Sequence, residues 1–163
     1  MPFSAYPQGK GMSVSAHACR LRIGRVSERG RIYSITAVVK HRKPIFKDFR
    51  LSRLLINELR RTHAEGLVNS LAWVVMPDHF HWLVELQSST LSVVMQRTKS
   101  RSARAINAAC QCSAPCWQPG YHERAIRYDD DLPSIARYIV ANPLRAGLVK
   151  RLVDYPHWDA IWL

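Results

Sequence analysis

The sequence predicts an α+β fold, in which helices pack on a mainly antiparallel sheet. Three observations support this prediction: strand-like and helix-like segments follow one another in the order βα-ββ-αβ-α, two of the strands are joined by only two residues, and no segment is repeated. That order is typical of helices lying on an antiparallel sheet. A chain of 163 residues is also long enough for one domain with a substantial core.

The chain opens with a segment that lacks periodicity, and a strand and a helix follow it. Residues 1–20 contain prolines and glycines in no regular pattern and are expected to form a loosely ordered arm. The segment GRIYSITAVVK, residues 30–40, is rich in β-branched and aromatic side chains and predicts a strand. A helix is predicted from Asp48, a suitable N-cap, to about His63, and its apolar face consists of Leu51, Leu54, Leu55 and Leu59.

Two consecutive strands are predicted at residues 69–76 and 79–86, on either side of a turn at Pro77-Asp78. Successive side chains of a strand point to opposite faces, so His79 and His81 share one face. The other face is uniformly apolar and is predicted to be core; it carries Phe80, Trp82, Val84 and Leu86. Two neighbouring imidazoles can hold a metal ion, orient a phosphate, or lie in contact with water at a strand edge.

The second half of the chain predicts two more helices with a strand between them. Apolar residues recur at helical spacing over residues 91–109, which predicts the second helix. The segment WQPGYHERAIR, residues 117–127, predicts a fourth strand. A third helix is predicted over residues 132–141, and Pro143 breaks it just after that range.

The third predicted helix contains the sequence ARYIVANP. Tyr138 and Asn142 are four residues apart and share a face if the helix continues that far. Ile135 and Ile139 mark the neighbouring buried stripe, so Tyr138 is expected at the boundary between the core and a cleft. Taken alone, a tyrosine at such a boundary is more often structural than nucleophilic. Asn142 also has a structural alternative, because an asparagine before Pro143 is suited to cap a following helical turn.

The charge balance indicates a polyanionic partner. The chain has 24 lysines and arginines against 12 acidic residues, a formal net charge of +12. Such an excess opposes compaction unless a partner offsets it, which favours nucleic acid. The alternatives are a basic protein without such a partner and attraction to anionic lipid.

Four cysteines occur, Cys19, Cys110, Cys112 and Cys116. No secretory segment opens the chain, and no apolar run reaches the roughly 20 residues of a transmembrane helix. A reducing compartment and free thiols are therefore expected. The spacing C-x-C-x3-C lacks the paired C-x2-C units of structural zinc sites. A zinc-containing RNA-binding protein remains an alternative on these cysteines.

Two motifs together resemble a known family. The segments MPDHFHWLV, residues 76–84, and YIVANPLRAGLV, residues 138–149, resemble those of the REP-associated tyrosine transposases. These are IS200-like single-strand DNA transposases of the HUH (His-hydrophobic-His) endonuclease superfamily. The resemblance covers residues 21–153 and leaves the arm of residues 1–20 and an aromatic C-terminal tail, residues 154–163. It implies a ferredoxin-like sandwich with the histidine pair on a central strand.

The resemblance also implies a metal-dependent activity. It implies that His79 and His81 bind a divalent metal ion, Mg²⁺ or Mn²⁺, with Asn142 at the position that can supply a third ligand. Tyr138 matches the nucleophile, which cleaves and rejoins single-stranded hairpin DNA of the REP type through a 5′-phosphotyrosine. The alternative is a protein of the same fold that binds hairpin DNA or RNA without catalysis.

The predicted DNA contacts come from cations on the second helix, after the first strand and within the motifs. Cations hold a DNA backbone and aromatic side chains stack on unpaired bases. The candidates are Arg42, Lys43, Arg97, Lys99, Arg101, Arg104, Arg127 and Arg145. We expect no membrane partner, a monomer or homodimer, and a bacterial cytoplasmic protein that is associated with the nucleoid when bound to DNA. In the tail, Trp158 and Trp162 are four apart, which predicts one helical face packed on the domain or on a second subunit and able to restrain activity.

Overall fold

The structure, a computed structural model, describes residues 27–163, so the expected arm of residues 1–20 lies outside it. The strands are β1 (Ile32–Val38), β2 (Val68–Met76), β3 (His79–Leu86), β4 (His122–Ala125) and β5 (Trp158–Ala160). The helices are α1 (Phe49–Ala64), α2 (Leu91–Cys110), α3 (Leu132–Val140) and α4 (Asn142–Arg145). The strands form one sheet in the order β4-β1-β3-β2-β5, and all neighbouring pairs are antiparallel.

Helices α1 and α2 cover one face of the sheet. Four alternate side chains of the central strand β3 are completely buried on this face: Phe80, Trp82, Val84 and Leu86. They belong to one apolar cluster with Leu55 and Leu59 of α1 and Val94 and Met95 of α2. The predicted core face of β3 is therefore confirmed.

Helix α3 packs on the opposite face, mainly over β2. Ala136, Ile139 and Val140 of α3 form a second apolar cluster with residues of the sheet, among them Val74 and Leu83. Leu83 lies two residues beyond His81 on β3 and therefore shares its face. The helix that carries Tyr138 thus packs on the face of the sheet to which both histidines point.

Side-chain caps begin the three longer helices. Oδ1 of Asp48 accepts hydrogen bonds from the backbone N–H groups of Arg50 and Leu51, as the sequence predicts. Thr90 caps α2 and Asp131 caps α3 in the same way. These caps satisfy N–H groups that have no partner within the helix.

The predicted α+β class, a ferredoxin-like sandwich of helices on an antiparallel sheet, is confirmed. Every helix and strand predicted between residues 30 and 141 is present, with ends shifted by a few residues. Within residues 27–163, no helix is long and apolar enough to cross a membrane.

The C-terminal tail differs from the prediction. Trp158–Ala160 forms an edge strand paired with β2, so Trp158 and Trp162 do not lie on a helical face. The reason is that the outer edge of β2 offers unpaired backbone groups, which a strand satisfies and a helix does not. Both tryptophans still pack on the second apolar cluster. The phenol of Tyr155 donates a hydrogen bond of 2.6 Å to the carbonyl oxygen of Val75 and ties the tail to β2.

The thiols that the structure describes are free. Cys110 and Cys112 are exposed and Cys116 is buried, while Cys19 lies outside residues 27–163. In this part of the chain no three His, Cys, Asp or Glu side chains are grouped to hold a metal ion. The zinc alternative therefore has no site among the described residues.

We expect truncation after Pro156 to destabilise the fold. The deletion removes β5 and the packing of Trp158 and Trp162, which we expect to lower the free energy of unfolding by about 2 kcal/mol or more. Urea denaturation followed by tryptophan fluorescence and circular dichroism measures the loss. Deletion of the exposed Leu163 alone is the control and should leave stability nearly unchanged; an equal midpoint for both truncations would contradict the structural role of β5.

Candidate active site

The centre of the candidate site is the histidine pair on β3. The two imidazole rings lie with centroids 4.9 Å apart and nearly perpendicular to each other. Both side chains are only partly buried, in contrast to the neighbouring Phe80 and Trp82, which are fully buried on the other face. The alternation of β3 therefore presents both imidazoles at one accessible position of a rigid strand.

Hydrogen bonds orient each imidazole through the same ring nitrogen. Nδ1 of His81 lies 2.8 Å from Oγ1 of Thr36 on β1, its cross-strand partner. Nδ1 of His79 lies 2.6 Å from Oδ1 of Asp78. Oδ2 of Asp78 accepts a 2.9 Å hydrogen bond from the guanidinium of Arg42. With both Nδ1 atoms engaged, the two Nε2 atoms are left to bind a ligand.

The electrostatics favour a neutral His81. Burial lowers the pKa of His81 to about 4, and the nearby charges of His79 and Arg145 act in the same direction. The imidazole is therefore neutral at pH 7, and neutral imidazole is the form that binds a metal ion. Burial works to raise the pKa of Asp78, but its contacts with His79 and Arg42 outweigh this effect and lower the pKa.

Tyr138 lies exposed on α3, on the histidine side of the sheet. Its side chain is 66% exposed, so the phenol is accessible to a large substrate. The guanidinium of Arg145 lies 3.8 Å from the centroid of the Tyr138 ring, and its Nη1 donates a 2.7 Å hydrogen bond to the Tyr138 carbonyl oxygen. The same Arg145 charge acts on His81. Arg145 thus connects the tyrosine with the histidine pair.

Asn142 does not act as a helix cap. It is the first residue of α4, whose N-cap is Ala141 with no side-chain hydrogen bond, so the capping alternative is wrong. The amide Nδ2 instead donates a 2.7 Å hydrogen bond back to the carbonyl oxygen of Ile139, which is one of the last carbonyls of α3. Within the described chain Oδ1 of Asn142 makes no hydrogen bond and stays available as an oxygen ligand.

The donor set suits a divalent metal ion. Two imidazole nitrogens and one amide oxygen leave positions on such an ion for water and for a phosphate oxygen. The contacts of His81 with Thr36 and of His79 with Asp78 are the type of hydrogen bond that orients metal-binding histidines. The residues present therefore fit the metal that the resemblance implies.

Several predicted DNA-binding cations make contacts within the protein. Lys99 donates from Nζ to the carbonyl oxygens of Gln118 (2.7 Å) and Gly120 (2.6 Å) and so ties the loop before β4 to α2. Arg101 forms a 2.9 Å ion pair with Glu65. Arg42 and Arg145 have the contacts given above. These cations have structural partners, and their contact with DNA stays a prediction.

The remaining predicted cations are exposed: Lys43, Arg97, Arg104 and Arg127. Arg97 and Arg104 are separated by about two turns of α2 and lie on the same side of it. Within residues 27–163 none of the four forms an ion pair. They are the candidates whose charge is open to a phosphate backbone.

The sequence analysis missed two residues of the site, Thr36 and Asp78. Asp78 precedes His79 directly, so the motif itself contained a signal for it. Thr36 is 45 residues away from His81 in the chain, and only the register of β1 against β3 brings them together. No spacing along the sequence indicates that contact.

Comparison with known proteins identifies similar sequences. Residues 29–142 match the family described as "Transposase IS200 like". The chain is 32% identical over 87 residues to the REP-associated tyrosine transposase of Escherichia coli K12, a match that covers 52% of this chain and 50% of that protein. It is 26% identical over 145 residues, 79% of each chain, to a protein of Haemophilus influenzae Rd provisionally named REP-associated tyrosine transposase.

Solved structures share the fold. A REP-associated tyrosine transposase bound to a REP hairpin superimposes with a TM-score of 0.65 and 26% identity, covering 82% of this chain and 79% of that one. A provisionally named transposase from Deinococcus radiodurans R1 has a TM-score of 0.53 and 22% identity, with 71% and 93% of the two chains covered. The second likeness shows the fold alone.

We expect the protein without metal to lose stability as the pH falls from about 6.5 towards 4, because the pKa of His81 is about 4 when folded and about 6.5 when unfolded. Protonation of His81 favours the state of the chain in which its pKa is higher, and this is the unfolded state. The stability that the neutral His81 contributes is therefore complete above pH 6.5 or so and is lost between about pH 6.5 and pH 4. Urea unfolding in chelator, compared between wild type and His81→Gln, isolates the effect.

Imidazole titration by NMR, also in chelator, gives the pKa directly. A midpoint for His81 near the ordinary value of about 6.5 would contradict the buried, Thr36-bonded ring.

Proposed function

The chain belongs to the IS200-like transposase family, and on this premise we propose that it cleaves and rejoins single-stranded hairpin DNA of the REP type through a 5′-phosphotyrosine. Tyr138 is the proposed nucleophile, and His79, His81 and Asn142 are the proposed ligands of Mg²⁺ or Mn²⁺. The observation that carries the proposal is the placement of Tyr138 on the helix that packs on the histidine face. The relatives and the hairpin-bound neighbour support the substrate class.

The protein side of the metal site is held rigid. His79 and His81 offer Nε2 while Asp78 and Thr36 hold their Nδ1 atoms, and Asn142 offers Oδ1 while its Nδ2 is bonded to Ile139. A divalent ion bound there would polarise the scissile phosphate and stabilise the charge on its oxygens. Holding the ligands in advance lowers the cost of organising them around the ion.

Tyr138 supplies the covalent step. Its phenol oxygen forms a bond to phosphorus as the bond from phosphorus to the 3′ oxygen breaks, the phenol gives up its proton, and the leaving strand ends in a 3′-hydroxyl. The new phosphotyrosine is still an ester, so a 3′-hydroxyl can attack it and restore the DNA backbone. Cleavage and rejoining thus use the same residue without hydrolysis.

Arg145 positions the nucleophile. Its guanidinium lies on the Tyr138 ring and bonds to the Tyr138 backbone, which limits the orientations of the ring relative to α3. Because it remains exposed, the same cation can contact the phosphate on which Tyr138 acts.

One copy of the chain carries every proposed residue. Helix α3 packs on the sheet of its own chain, on the face to which both histidines point, which supports a site formed within one subunit. We therefore propose that a monomer is sufficient for cleavage. The curated relatives come from bacteria, and the proposed place of action is DNA in the bacterial cytoplasm, at the nucleoid.

The alternative function is hairpin binding without catalysis. The exposed cations Lys43, Arg97, Arg104 and Arg127 would serve either function, since they bind backbone phosphates. The accessible phenol and the oriented histidines favour the enzyme, because a binding protein requires neither. Covalent trapping separates the two functions.

We expect Tyr138→Phe to abolish the covalent protein–DNA adduct because the variant lacks the attacking oxygen. Purified protein is incubated with labelled single-stranded hairpin DNA and Mn²⁺ or Mg²⁺, and a denaturing gel detects the adduct. Tyr128→Phe is the matched control, since Tyr128 is a tyrosine with 92% of its side chain exposed and lies outside the site. Adduct formation by Tyr138→Phe, or its absence from wild type with tight hairpin binding, would refute the proposed nucleophile.

We expect Thr36→Val to weaken Mn²⁺ binding by about 10- to 100-fold, the usual cost of losing a hydrogen bond to a ligating histidine. Valine keeps the size and the β-branch but removes the oxygen that orients His81. Electron paramagnetic resonance of free Mn²⁺ measures the affinity without any need for catalysis.

The control for this variant is Ser34→Ala, which lies on the same strand and the same face but has no contact with a histidine. Equal Mn²⁺ affinities of both variants and wild type would show that Thr36 does not orient a ligand.

A further inference from the structure

A groove of about 280 Å³ lies on the α1–α2 side of the sheet, on the face opposite to the one that carries the histidine pair. It is enclosed by the turn after β1, the start of α1, the end of α2 and the loop that follows α2. Its inner surface is mainly apolar and includes Val39, Ile45, Leu51, Ile106 and Cys116. Two of its lining residues, Val39 and Lys40, directly follow β1, whose last residue Val38 stands opposite His79.

The rim of the groove is cationic. Lys40, His41 and Lys43 line it, and Lys40 and Lys43 form no ion pair within residues 27–163. The groove has no acidic lining residue. An apolar interior with an uncompensated positive rim is complementary to a flat apolar ring carried on an anionic backbone.

The turn at the rim has an unusual backbone. His41 and Arg42 are consecutive non-glycine residues in the left-handed region, with φ of 58° and 51°. Each such residue costs roughly 1–3 kcal/mol and persists only where its surroundings hold it, often at ligand sites. Here the ion pair of Arg42 with Asp78 holds the turn, and Asp78 also bonds to His79. The groove and the histidine pair are therefore linked through one carboxylate.

One polar group stands in the wall of the groove. Asn107 donates from Nδ2 to the carbonyl oxygen of Ala114 (3.0 Å), and its Oδ1 accepts a 3.4 Å contact from the thiol of Cys112. These bonds hold the loop after α2. The amide keeps one N–H and one lone pair, which can bond to the edge of a ring in the groove.

We propose that this groove binds one unpaired nucleobase of the single-stranded DNA that flanks the hairpin, an inference that rests on the proposed function. Its volume is at the lower end of ligand pockets, which suits a single base. The apolar surface receives the ring, Lys40 and Lys43 bind the adjacent phosphates, and Asn107 reads the edge of the base. The groove would thus contribute to the sequence specificity of cleavage.

The test uses a hairpin oligonucleotide with a single-stranded flank and a set of derivatives that each lack one base of the flank. Fluorescence anisotropy measures the affinity of each for wild type. We expect one position to stand out, where loss of the base weakens binding by roughly ten-fold or more. A flat response at every position would overturn the inference.

The variant Ala114→Trp places a large ring in the groove from an exposed loop position. We expect its affinity for the hairpin with the intact flank to fall to the affinity of wild type for the derivative that lacks the critical base. It should bind a hairpin without a flank normally. Ala64→Trp, at an exposed position at the end of α1 outside the groove, is the matched control and should behave as wild type. Unchanged dependence on that base in Ala114→Trp would overturn the inference.

A second measurement needs no substitution. Cys110 and Cys112 line the groove and are exposed, so iodoacetamide labels them, and mass spectrometry of the peptides gives each rate. The flanked hairpin should slow both rates at least several-fold, and the flankless hairpin should not. Equal rates with both DNAs would show that the flank does not cover the groove and would overturn the inference.

The Tyr138 adduct assay separates this inference from the proposed function. If the adduct forms and neither base removal nor thiol labelling responds, only the groove inference fails. If wild type binds no hairpin and forms no adduct, the proposed function fails and the groove inference fails with it.

Discussion

Strand β3 has a paired neighbour on each side, and the two-residue alternation of its side chains is the constraint on which the core and the candidate site both depend. Phe80, Trp82, Val84 and Leu86 fill the space under α1 and α2, and a shift of register by one residue would place them on the other face. The free energy of their burial therefore holds His79 and His81 at their positions. The candidate site obtains its rigidity from residues that never touch a substrate.

Polar contacts extend this rigidity from the strand to the rings. Thr36 reaches His81 from β1, and Asp78 reaches His79 from the turn before β3. Asp78 also holds Arg42, and through it the strained turn that borders the groove. A single carboxylate thus supports the candidate metal site on one side and the candidate base site on the other, so any change at Asp78 is expected to disturb both.

The distribution of charge is less simple than the net value of +12 indicates. Lys99 and Arg101 are engaged by backbone carbonyls and by Glu65, and Arg145 lies on Tyr138. Counting cations along α2 treats all of them as equivalent, because a sequence does not show which have an internal partner. Arg101 shares its charge with a carboxylate, whereas Lys43, Arg97, Arg104 and Arg127 are exposed and form no ion pair within residues 27–163, which leaves their charge open to a polyanion.

The sequence by itself determined the α+β class, the common face of His79 and His81, and the burial of the other face of β3, because these follow from local periodicity. The two motifs also identified the family. Tertiary structure alone decided the contact of Thr36 with His81, the hydrogen bond of Tyr155 to Val75, and the pairing of the tail with β2. Each of these depends on which segments become neighbours, and that choice is made by packing over the whole domain, which no short stretch of sequence contains.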